Sequence, residues 1–333
     1  MSEEKKFDRV NALITGGLGF IGSHLARRLL HLGAKVTIVD SLIPEYGGNL
    51  FNVHDIQDRI TVNITDVRDP HAIKYLVQDQ NYIFNLAGQT SHLDSMLDPR
   101  TDLDINAGAQ LSILEACKKH NQDVKIIFAS TRQLYGRPKY LPVDEKHPIR
   151  PVDVNGINKL AGEWYHLLYN DVYGIRACAL RLTNTYGPGM RVRDARQTFL
   201  GIWIRNVLQG KTIQIFGDGL QVRDFNYVDD VVDALLTAAL NPASEGDVFN
   251  LGSEQVVSLK WLAEKLVTLH GSGKYEVVPF PPDRKAIDIG DYYSNFSKFR
   301  SVVGWVPKIE LEEGLVRTLE YFTKHGDKYW DAR

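Results

Sequence analysis

Three glycines near the start of the chain have the spacing of a phosphate-binding turn. Gly16, Gly19 and Gly22 follow G-x-x-G-x-x-G between an apolar run and a helical pattern. One glycine permits a tight turn, one lets a pyrophosphate approach backbone N–H groups, and one lets the helix lie close to the strand. The start of that helix, at Phe20 and Ile21, offers unpaired N–H groups and positive partial charge. The pattern predicts a dinucleotide-binding site.

A carboxylate follows at the expected distance. Asp40 ends the next apolar run, where an acidic residue can accept hydrogen bonds from the adenosine ribose hydroxyls. Its charge would repel the extra phosphate of NADP, and the residues that follow, 41–43, include no arginine to offset that repulsion. The sequence therefore favours NAD.

The elements that position these residues are predicted from short apolar runs in the first half of the chain. The runs are rich in β-branched residues and mostly do not alternate, as in strands covered on both faces. They cover 10–15, 34–40, 60–65, 82–87, 124–130 and 176–184. Amphipathic helical patterns lie between them. This repetition predicts an α/β fold with a doubly wound parallel sheet of the Rossmann type.

The alternation of predicted strands and helices changes after residue 187. A loop that contains glycine and proline is followed there by shorter strands and scattered helices. We expect a Rossmann domain over 1–187 that binds NAD. Residues 188–333 are expected to form a smaller α/β lobe that closes over the carboxyl edge of the sheet and binds substrate. The segment at about 225–250 should pack back on the first domain.

Composition excludes several classes of partner. The 39 basic and 41 acidic residues give a net charge of −2, so no global attraction to nucleic acid or anionic membrane is expected. No apolar run reaches the about 18 residues of a membrane span, and the first residues lack an apolar signal core. A cytoplasmic location is expected. Cys117 and Cys178 are predicted to be buried free thiols, and no metal site is predicted.

Nine segments along nearly the whole chain carry a resemblance to a known family. They are TGGLGFIG (15–22), NITDVRD (63–69), NLAGQTSHLDSMLDP (85–99), DINAGAQLSILEA (104–116), FASTRQLYG (128–136), NGINKLAGE (155–163), RLTNTYGPG (181–189), FGDGLQVRDFNYVDD (216–230) and VVGWVPKIELEEGL (302–315). In these the chain resembles the extended short-chain dehydrogenase/reductase family of nucleotide-sugar epimerases and dehydratases. The resemblance implies that Asp66 and Val67 flank the adenine and that Ala87 lies along the path of NAD.

The family's chemistry oxidises a sugar hydroxyl transiently. A tyrosinate takes the hydroxyl proton, a lysine lowers the pKa of that tyrosine and holds the ribose, and a Ser or Thr hydroxyl orients the substrate. The matching positions here are Thr131, Lys159 and, in place of the tyrosine, Asn155. An amide has no proton-transfer chemistry near neutral pH. Asn155 can therefore bind substrate or ribose but cannot act as the base.

Three explanations of Asn155 stay open. Another group takes over the proton transfer, and His92, expected in a loop facing the sugar after the fourth strand, is the best substitute; Tyr135 and Asp94 also come from segments near the site. Alternatively, the enzyme tolerates a weak base. Finally, the change is a loss of function, natural or engineered. Lys159 remains in register on its helix, which indicates that the cofactor is still bound.

The resemblance also implies a set of substrate contacts. Asn184 would bind the substrate diphosphate, and Arg223 and Arg284 would converge on it, because arginine makes bidentate charge-assisted bonds to phosphate. Gln89 and Arg132 are expected to contact the sugar, and a sugar carboxylate would be one partner for Arg132.

The loop at 190–199 is expected to cover the nucleotide base with its arginines. These are Arg191, Arg193 and Arg196. The lobe at 188–333 is thus expected to bind a nucleotide-diphosphate sugar.

Among the family's reactions the sequence favours epimerisation. In the family's dehydratases the threonine is followed by Asp-Glu, which supply acid and base, whereas Arg132 and Gln133 follow Thr131 here. We predict an NAD-dependent nucleotide-sugar epimerase. The alternatives are a non-catalytic protein that binds NAD or a nucleotide sugar, a variant disabled at the tyrosine position, and, less favoured, a dehydratase or decarboxylase. Pairing of helices at 104–118 and 155–170 across a two-fold axis would give the family's homodimer.

Overall fold

The computed structural model describes residues 6–194 and 198–330. Twelve strands lie within these residues. They are β1 (Asn11–Thr15), β2 (Lys35–Asp40), β3 (Thr61–Ile64), β4 (Tyr82–Asn85), β5 (Lys125–Thr131), β6 (Arg176–Leu182), β7 (Asn184–Tyr186), β8 (Thr212–Phe216), β9 (Val222–Tyr227), β10 (Val248–Asn250), β11 (Val256–Ser258) and β12 (Lys274–Val278).

Seven of these strands form one parallel sheet, in the order β10-β6-β5-β4-β1-β2-β3. Strand order reverses between β1 and β4, and a doubly wound sheet binds its ligand at the carboxyl ends of the strands beside such a reversal. The predicted doubly wound sheet is confirmed. All six predicted strands are present, although the run at 176–184 divides at Thr183, because β7 leaves the main sheet to pair with β9.

Thirteen α-helices lie within the described residues. They are α1 (Phe20–His31), α2 (Pro70–Leu76), α3 (His92–Leu97), α4 (Pro99–Leu103), α5 (Ala109–His120), α6 (Val154–Tyr173), α7 (Phe199–Leu208), α8 (Val228–Leu240), α9 (Leu259–His270), α10 (Pro282–Ala286), α11 (Ser297–Val303), α12 (Leu311–His325) and α13 (Asp327–Trp330). None of them is long and apolar enough to cross a membrane.

Helices cover both faces of the main sheet. On one face, α1 and α8 share a core in which Leu25, Leu29 and Leu235 are fully buried. On the other, α2, α5 and α6 pack on the sheet around Ile73 and Leu114. Because both faces of the main sheet are buried, the sequences of its strands are continuous apolar runs.

The C-terminal part of the chain has a second core. The strands β8 and β12 pair in parallel, and α7, α9 and α12 bury apolar side chains such as Trp203, Leu262 and Phe322 beside them. Strand β10 belongs to the main sheet and helix α8 belongs to its core, although both lie in the second half of the chain. Both cysteines are free and buried.

Candidate active site

A cleft lies at the carboxyl ends of the central strands, at the reversal of strand order. Its lining includes every residue predicted to bind the cofactor: Gly16, Gly19, Phe20, Ile21, Gly22, Asp40, Asp66, Val67, Ala87 and Lys159. Thr131, Asn155 and His92, predicted for catalysis, line the same cleft, as do Arg132 and Asn184. The sheet topology therefore brings most of the predicted site residues to one place.

The glycine turn between β1 and α1 leaves no room for side chains. Gly16 has a φ of +70°, and a Cβ on Gly22 would lie 2.5 Å from the Gly16 carbonyl oxygen. The first residue before α1 is Gly19, so no side chain caps the helix. The N–H groups of the first turn therefore remain available to an anion such as a pyrophosphate.

Asp40 is held at the end of β2 by two backbone donors. Its carboxylate accepts hydrogen bonds from the N–H groups of Leu18, at 3.1 Å, and Leu42, at 2.9 Å. Burial raises the pKa of Asp40 above its ordinary value, and these two bonds oppose the rise. The oxygens face the cleft where a ribose would lie, so the site fits NAD. Asp66, further along the cleft, forms an ion pair with Arg68 at 2.6 Å.

Lys159 projects from α6 toward the end of β5. Its ammonium donates to the Ala129 carbonyl oxygen at 3.2 Å, and burial lowers its pKa to about 8. A Cβ on Gly88 would lie 2.7 Å from the Lys159 Nζ, so a side chain at this position would displace the ammonium. Thr131 ends β5, and its hydroxyl accepts the Gln133 N–H at 3.2 Å.

Asn155 is 2% exposed, and its amide nitrogen bonds away from the reaction site. Nδ2 donates to the Gln89 carbonyl oxygen at 2.7 Å and to Asp102 Oδ2 at 3.0 Å. Both partners are acceptors, which fixes the orientation of the amide and leaves Oδ1 as its acceptor atom. The Asn155 backbone N–H donates to Ser95 Oγ at 3.2 Å.

The carboxylate of Asp102 is the centre of this buried amide network. Besides Asn155, it accepts Asn106 Nδ2 at 3.0 Å on Oδ2 and Asn158 Nδ2 at 2.8 Å on Oδ1. Asp102 is completely buried. The network joins α4, the π-helical turn Asp104–Gly108 and α6, so the amide of Asn155 has partners built around it.

His92 is paired with a buried carboxylate at the edge of the cleft. Its Nδ1 lies 3.0 Å from Asp153 Oδ2, although the contact is not aligned as an ideal hydrogen bond. His92 was expected in a loop, but it is the first residue of α3, because Ser91 Oγ accepts the Asp94 N–H and starts a helix there.

Asp153 is held in place by several donors. It caps α6 by accepting the Gly156 N–H at 2.7 Å, and Oδ2 accepts Gln133 Nε2 at 2.9 Å. Burial opposes ionisation of Asp153, but the contacts with His92, Gly156 and Gln133 outweigh it and lower the pKa of this carboxyl. Asp153 therefore stays ionised beside the imidazole.

The other predicted substitutes for the tyrosine do not line the cleft. Tyr135 is fully buried; its hydroxyl donates to Asn250 Oδ1 at 2.7 Å and accepts Arg181 Nη1 at 2.6 Å. Burial raises the pKa of Tyr135 to about 12. Asp94 lies on α3 beyond the cleft lining. Of the sequence candidates, His92 is the ionisable group that the cleft contains.

Arg132 starts the 3-10 turn Arg132–Tyr135 directly after Thr131. Its Nη2 donates to Asn184 Oδ1 at 3.0 Å, and the guanidinium carbon lies 4.9 Å from the centre of the Tyr292 ring. Its Nη1 is buried and has no hydrogen-bond partner among residues 6–194 and 198–330. Asn184 donates its own Nδ2 to the Asp224 carbonyl oxygen at 2.9 Å. Asn184 therefore holds Arg132 in place.

The cleft lining does not include four predicted substrate residues, which are Gln89, Arg193, Arg223 and Arg284. Gln89 is buried and donates to the Ser91 carbonyl oxygen at 3.0 Å. Arg223 is buried, donating to the Val222 carbonyl oxygen at 2.8 Å, and Arg284 lies over the Phe216 ring at 5.5 Å. Burial and the nearby charge of Arg132, the partner of Asn184, lower the pKa of Arg223. The convergence of Arg223 and Arg284 on a substrate diphosphate stays a prediction.

The arginine-rich loop is only partly described. Arg193 is exposed and lines a smaller pocket with Arg191, next to the cleft. Arg196 lies outside the described residues. No group of three or more metal-binding side chains occurs in the part of the chain that the structure describes.

Sequence reasoning missed Asp153, Gln133 and Tyr292. The only local signal for Asp153 is its position three residues before Gly156, which is typical of a helix cap. Nothing in the sequence links Asp153 to His92, which is 61 positions away, because the tertiary structure alone brings α3 against the start of α6.

Comparison with known proteins agrees with this geometry. The model of the NAD dependent epimerase/dehydratase family matches residues 12–252. A UDP-glucose 4-epimerase from Mycolicibacterium smegmatis is 31% identical, over 94% of this chain and 98% of its own length. UDP-glucuronic acid decarboxylase 1 from Xenopus tropicalis is 32% identical, over 95% of this chain and 73% of its own length.

A solved structure shares the arrangement of the whole chain. The crystal structure of UDP-glucose 4-epimerase from Thermotoga maritima with UDP-glucose superposes with a TM-score of 0.86 at 32% identity. The match covers 95% of this chain and 99% of that one. The similarity therefore includes both the sheet and the C-terminal lobe.

Proposed function

Because the chain belongs to the NAD-dependent epimerase/dehydratase family, we propose that it interconverts epimers of a nucleotide-diphosphate sugar, with His92 in place of the family's tyrosine as the base. The cofactor is NAD, the dinucleotide in the family's name. When bound, NAD would supply a reversible acceptor for hydride from a sugar carbon. The glycine turn, Asp40 and Lys159 would hold it.

The observation that carries the proposal is the pairing of His92 with Asp153 at the edge of the cleft that Thr131 lines. The Thr131 hydroxyl orients the sugar hydroxyl. His92 takes the hydroxyl proton at Nε2 and later returns it, so the protein ends the cycle unchanged. The ionised Asp153, 3.0 Å from Nδ1, stabilises the imidazolium by its charge, as a carboxylate does beside a catalytic histidine.

Asn155 and Lys159 bind rather than transfer protons in this scheme. The amide oxygen of Asn155 accepts a hydrogen bond from a hydroxyl of substrate or ribose, while its nitrogen stays bonded to Asp102. Lys159, with a pKa lowered to about 8, provides a donor at the ribose near neutral pH. Dehydration is less favoured, because Arg132 and Gln133 lack the carboxyl groups with which the family's dehydratases eliminate water.

A non-catalytic binding protein is the competing function, and the inert amide of Asn155 favours it. NMR of the sugar protons, with NAD and a panel of UDP-, GDP-, CDP- and dTDP-sugars in heavy water, separates the two. Growth of a new anomeric signal, with protium retained at the epimerised carbon, is the expected result. Retention follows because the hydride that leaves the sugar is the one returned. Binding to NAD and nucleotide sugar with no turnover for any substrate would refute the epimerase and favour the binding protein.

A further inference from the structure

A buried arginine nitrogen without a hydrogen-bond partner belongs to a residue that lines the cleft. Arg132 follows Thr131 directly and lines the cleft with Asn155 and His92. One edge of its guanidinium is fixed, since Nη2 donates to Asn184 Oδ1 at 3.0 Å and the plane lies against the Tyr292 ring. Nη1, on the remaining edge, is buried and bonds to no described residue. The group is positioned but its hydrogen-bonding capacity is not used.

The charge of Arg132 is also not neutralised by direct contact. Within residues 6–194 and 198–330, no carboxylate oxygen forms an ion pair with it. Asp224, Asp288 and Asp153 act on it from a greater distance, and each is engaged elsewhere; Asp153 accepts the Gly156 N–H and Gln133 Nε2. Asp224 accepts the Thr183 hydroxyl at 2.6 Å and the Ser294 N–H at 3.0 Å, and Asp288 accepts Gln221 Nε2 at 2.8 Å.

A charge in such surroundings is costly unless a ligand pairs with it. Burial disfavours the charged form of Arg132 and lowers its pKa, although arginine stays protonated at any physiological pH. An anionic ligand group that reaches Nη1 would satisfy both the unused donor and the charge. The planar fork of a guanidinium matches the two oxygens of a carboxylate.

The position of Arg132 favours an anion on the sugar over the diphosphate. The proposed function, on which this inference rests, places the reacting sugar hydroxyl between Thr131 and His92. Arg132 directly follows Thr131 and lines the same cleft as Thr131 and His92, so we expect an anion bound by Arg132 to lie close to the reacting carbon of the sugar. Arg223, which was expected at the diphosphate, does not line the cleft.

We propose that the substrate is a nucleotide-linked uronic acid, whose sugar carboxylate binds the free edge of the Arg132 guanidinium. Asn184 and Tyr292 are positioning residues that hold this edge toward the sugar. A neutral hexose in the same cleft would leave Nη1 without a partner. The preference for a uronate over a neutral hexose therefore comes both from this unpaired donor and from the attraction between the guanidinium and the sugar carboxylate.

Titration calorimetry with NAD present tests the inference on the full chain. The probes are UDP-glucuronate, UDP-glucose and UDP, and, as a second matched pair, GDP-mannuronate and GDP-mannose. The proteins are wild type, Arg132→Gln, Arg132→Lys and the surface control Arg100→Gln, each checked by its melting temperature. Binding is read directly, so the test does not depend on turnover.

In the expected result, one uronate binds wild type about ten- to hundred-fold more tightly than its neutral partner, the range typical of a charge-assisted bond. Arg132→Gln loses that preference while the neutral sugar binds as before. Arg132→Lys keeps part of it, and Arg100→Gln keeps all of it.

Two results would overturn the inference. One is equal affinity of wild type for uronate and neutral sugar in both pairs. The other is a loss in Arg132→Gln that is the same for UDP-glucuronate, UDP-glucose and UDP, which would assign Arg132 to the diphosphate. Neither of these two results contradicts the proposed epimerase function. If no nucleotide sugar binds at all, the proposed function fails together with this inference.

Discussion

At the scale of single residues, the amide of Asn155 determines how the site can work. Its nitrogen donates to Gln89 and to the buried carboxylate of Asp102, which also binds two further asparagine amides. A tyrosine at this position could not make these bonds, because its single hydroxyl has one proton to donate. The partners around the amide therefore satisfy both donor positions of an asparagine at 155.

We expect Asn155→Asp to destabilise the protein by about 1–3 kcal/mol at pH 7, the usual penalty for an unpaired buried polar group. The side chain keeps its size, but a donor becomes an acceptor that faces Asp102. Urea unfolding gives the free energy, with Gln122→Glu on the surface as the matched control, expected within about 0.5 kcal/mol of wild type. Equal stability of Asn155→Asp and wild type would contradict the role of the amide.

For His92→Gln we expect a fall in kcat of about 10²- to 10⁴-fold, the usual contribution of a general base. The glutamine keeps hydrogen-bonding capacity but cannot take a proton. Substrate and NAD affinity should change little, which calorimetry checks. His120→Gln, on the exposed end of α5, is the control and should retain full activity. Unchanged turnover in His92→Gln would exclude His92 as the base.

The lowered pKa of Lys159 predicts that the free energy of unfolding depends on pH. Its pKa is lowered by burial to about 8, against 10.5 in an exposed chain. Between these values the unfolded chain binds a proton that the folded protein does not, so stability rises with pH across that window. Below pH 8 both states are protonated and the cost of the buried charge is fully present.

It follows that Lys159→Met should stabilise the protein without NAD at pH 7, by up to about 3 kcal/mol, and should add little at pH 10.5. Melting temperatures at the two pH values measure the difference. Lys119→Met on α5, whose ammonium is largely exposed, is the control for loss of a lysine charge. A variant that is less stable than wild type at pH 7 would show that burial of Lys159 carries no such cost.

At the scale of elements, the close approach of α1 to β1 makes the cofactor site. The start of α1 reaches the cleft because Gly22 packs directly on the Gly16 carbonyl group, where even a methyl group would lie 2.5 Å from the oxygen. Helix position and phosphate site therefore depend on the same glycine. Similarly, the cap of α6 is Asp153, so one carboxylate both starts that helix and places a negative charge 3.0 Å from His92 Nδ1.

We expect Gly22→Ala to lose most of the rise in melting temperature that NAD gives to wild type, because α1 must move away from the turn. Overpacking of this kind costs typically about 1–3 kcal/mol, so the variant should also melt lower without NAD. Gly108→Ala is the control, since its nearest neighbour would lie 3.8 Å from the new Cβ. An NAD-dependent shift equal to that of wild type would contradict this account of the turn.

At the scale of the whole molecule, α6 connects the site to an exposed apolar face. One side of the helix carries Lys159 into the cleft. The other side carries four apolar side chains that are each at least half exposed to solvent. They are Ile157, Trp164, Leu168 and Val172, at 55%, 57%, 50% and 59%. Large apolar residues that recur on one exposed helix face are typical of an interface. The face supports the homodimer predicted from the resemblance.

We therefore expect the protein to be a dimer in solution and Trp164→Glu/Leu168→Glu to be a monomer. Two buried carboxylates would oppose pairing of the helices across a two-fold axis, where each substitution occurs twice. Light scattering after size-exclusion chromatography measures the mass. Tyr75→Glu on α2, at a side chain 67% exposed, is the control and should leave the dimer intact. A monomeric wild type would refute the prediction.

Sequence patterns alone predicted the features of this protein that depend on residues close together in the chain. Apolar runs predicted the strands, and the spacing of Gly16, Gly19 and Gly22 with Asp40 predicted a site for NAD, because a turn, a helix start and a strand end depend on residues close in the chain. The resemblance added Thr131 and Lys159 to the same cleft. It could not say what replaces the tyrosine.

The pairings between distant residues became known from the folded arrangement of the chain. It placed His92 against Asp153, turned the Asn155 amide toward Asp102, and left one edge of Arg132 without a partner while Asn184 and Tyr292 fixed the other. It also kept Gln89, Arg223 and Arg284 out of the cleft lining. Hydrogen bonds and charge contacts act over a few ångströms, so their partners depend on packing that no local pattern records.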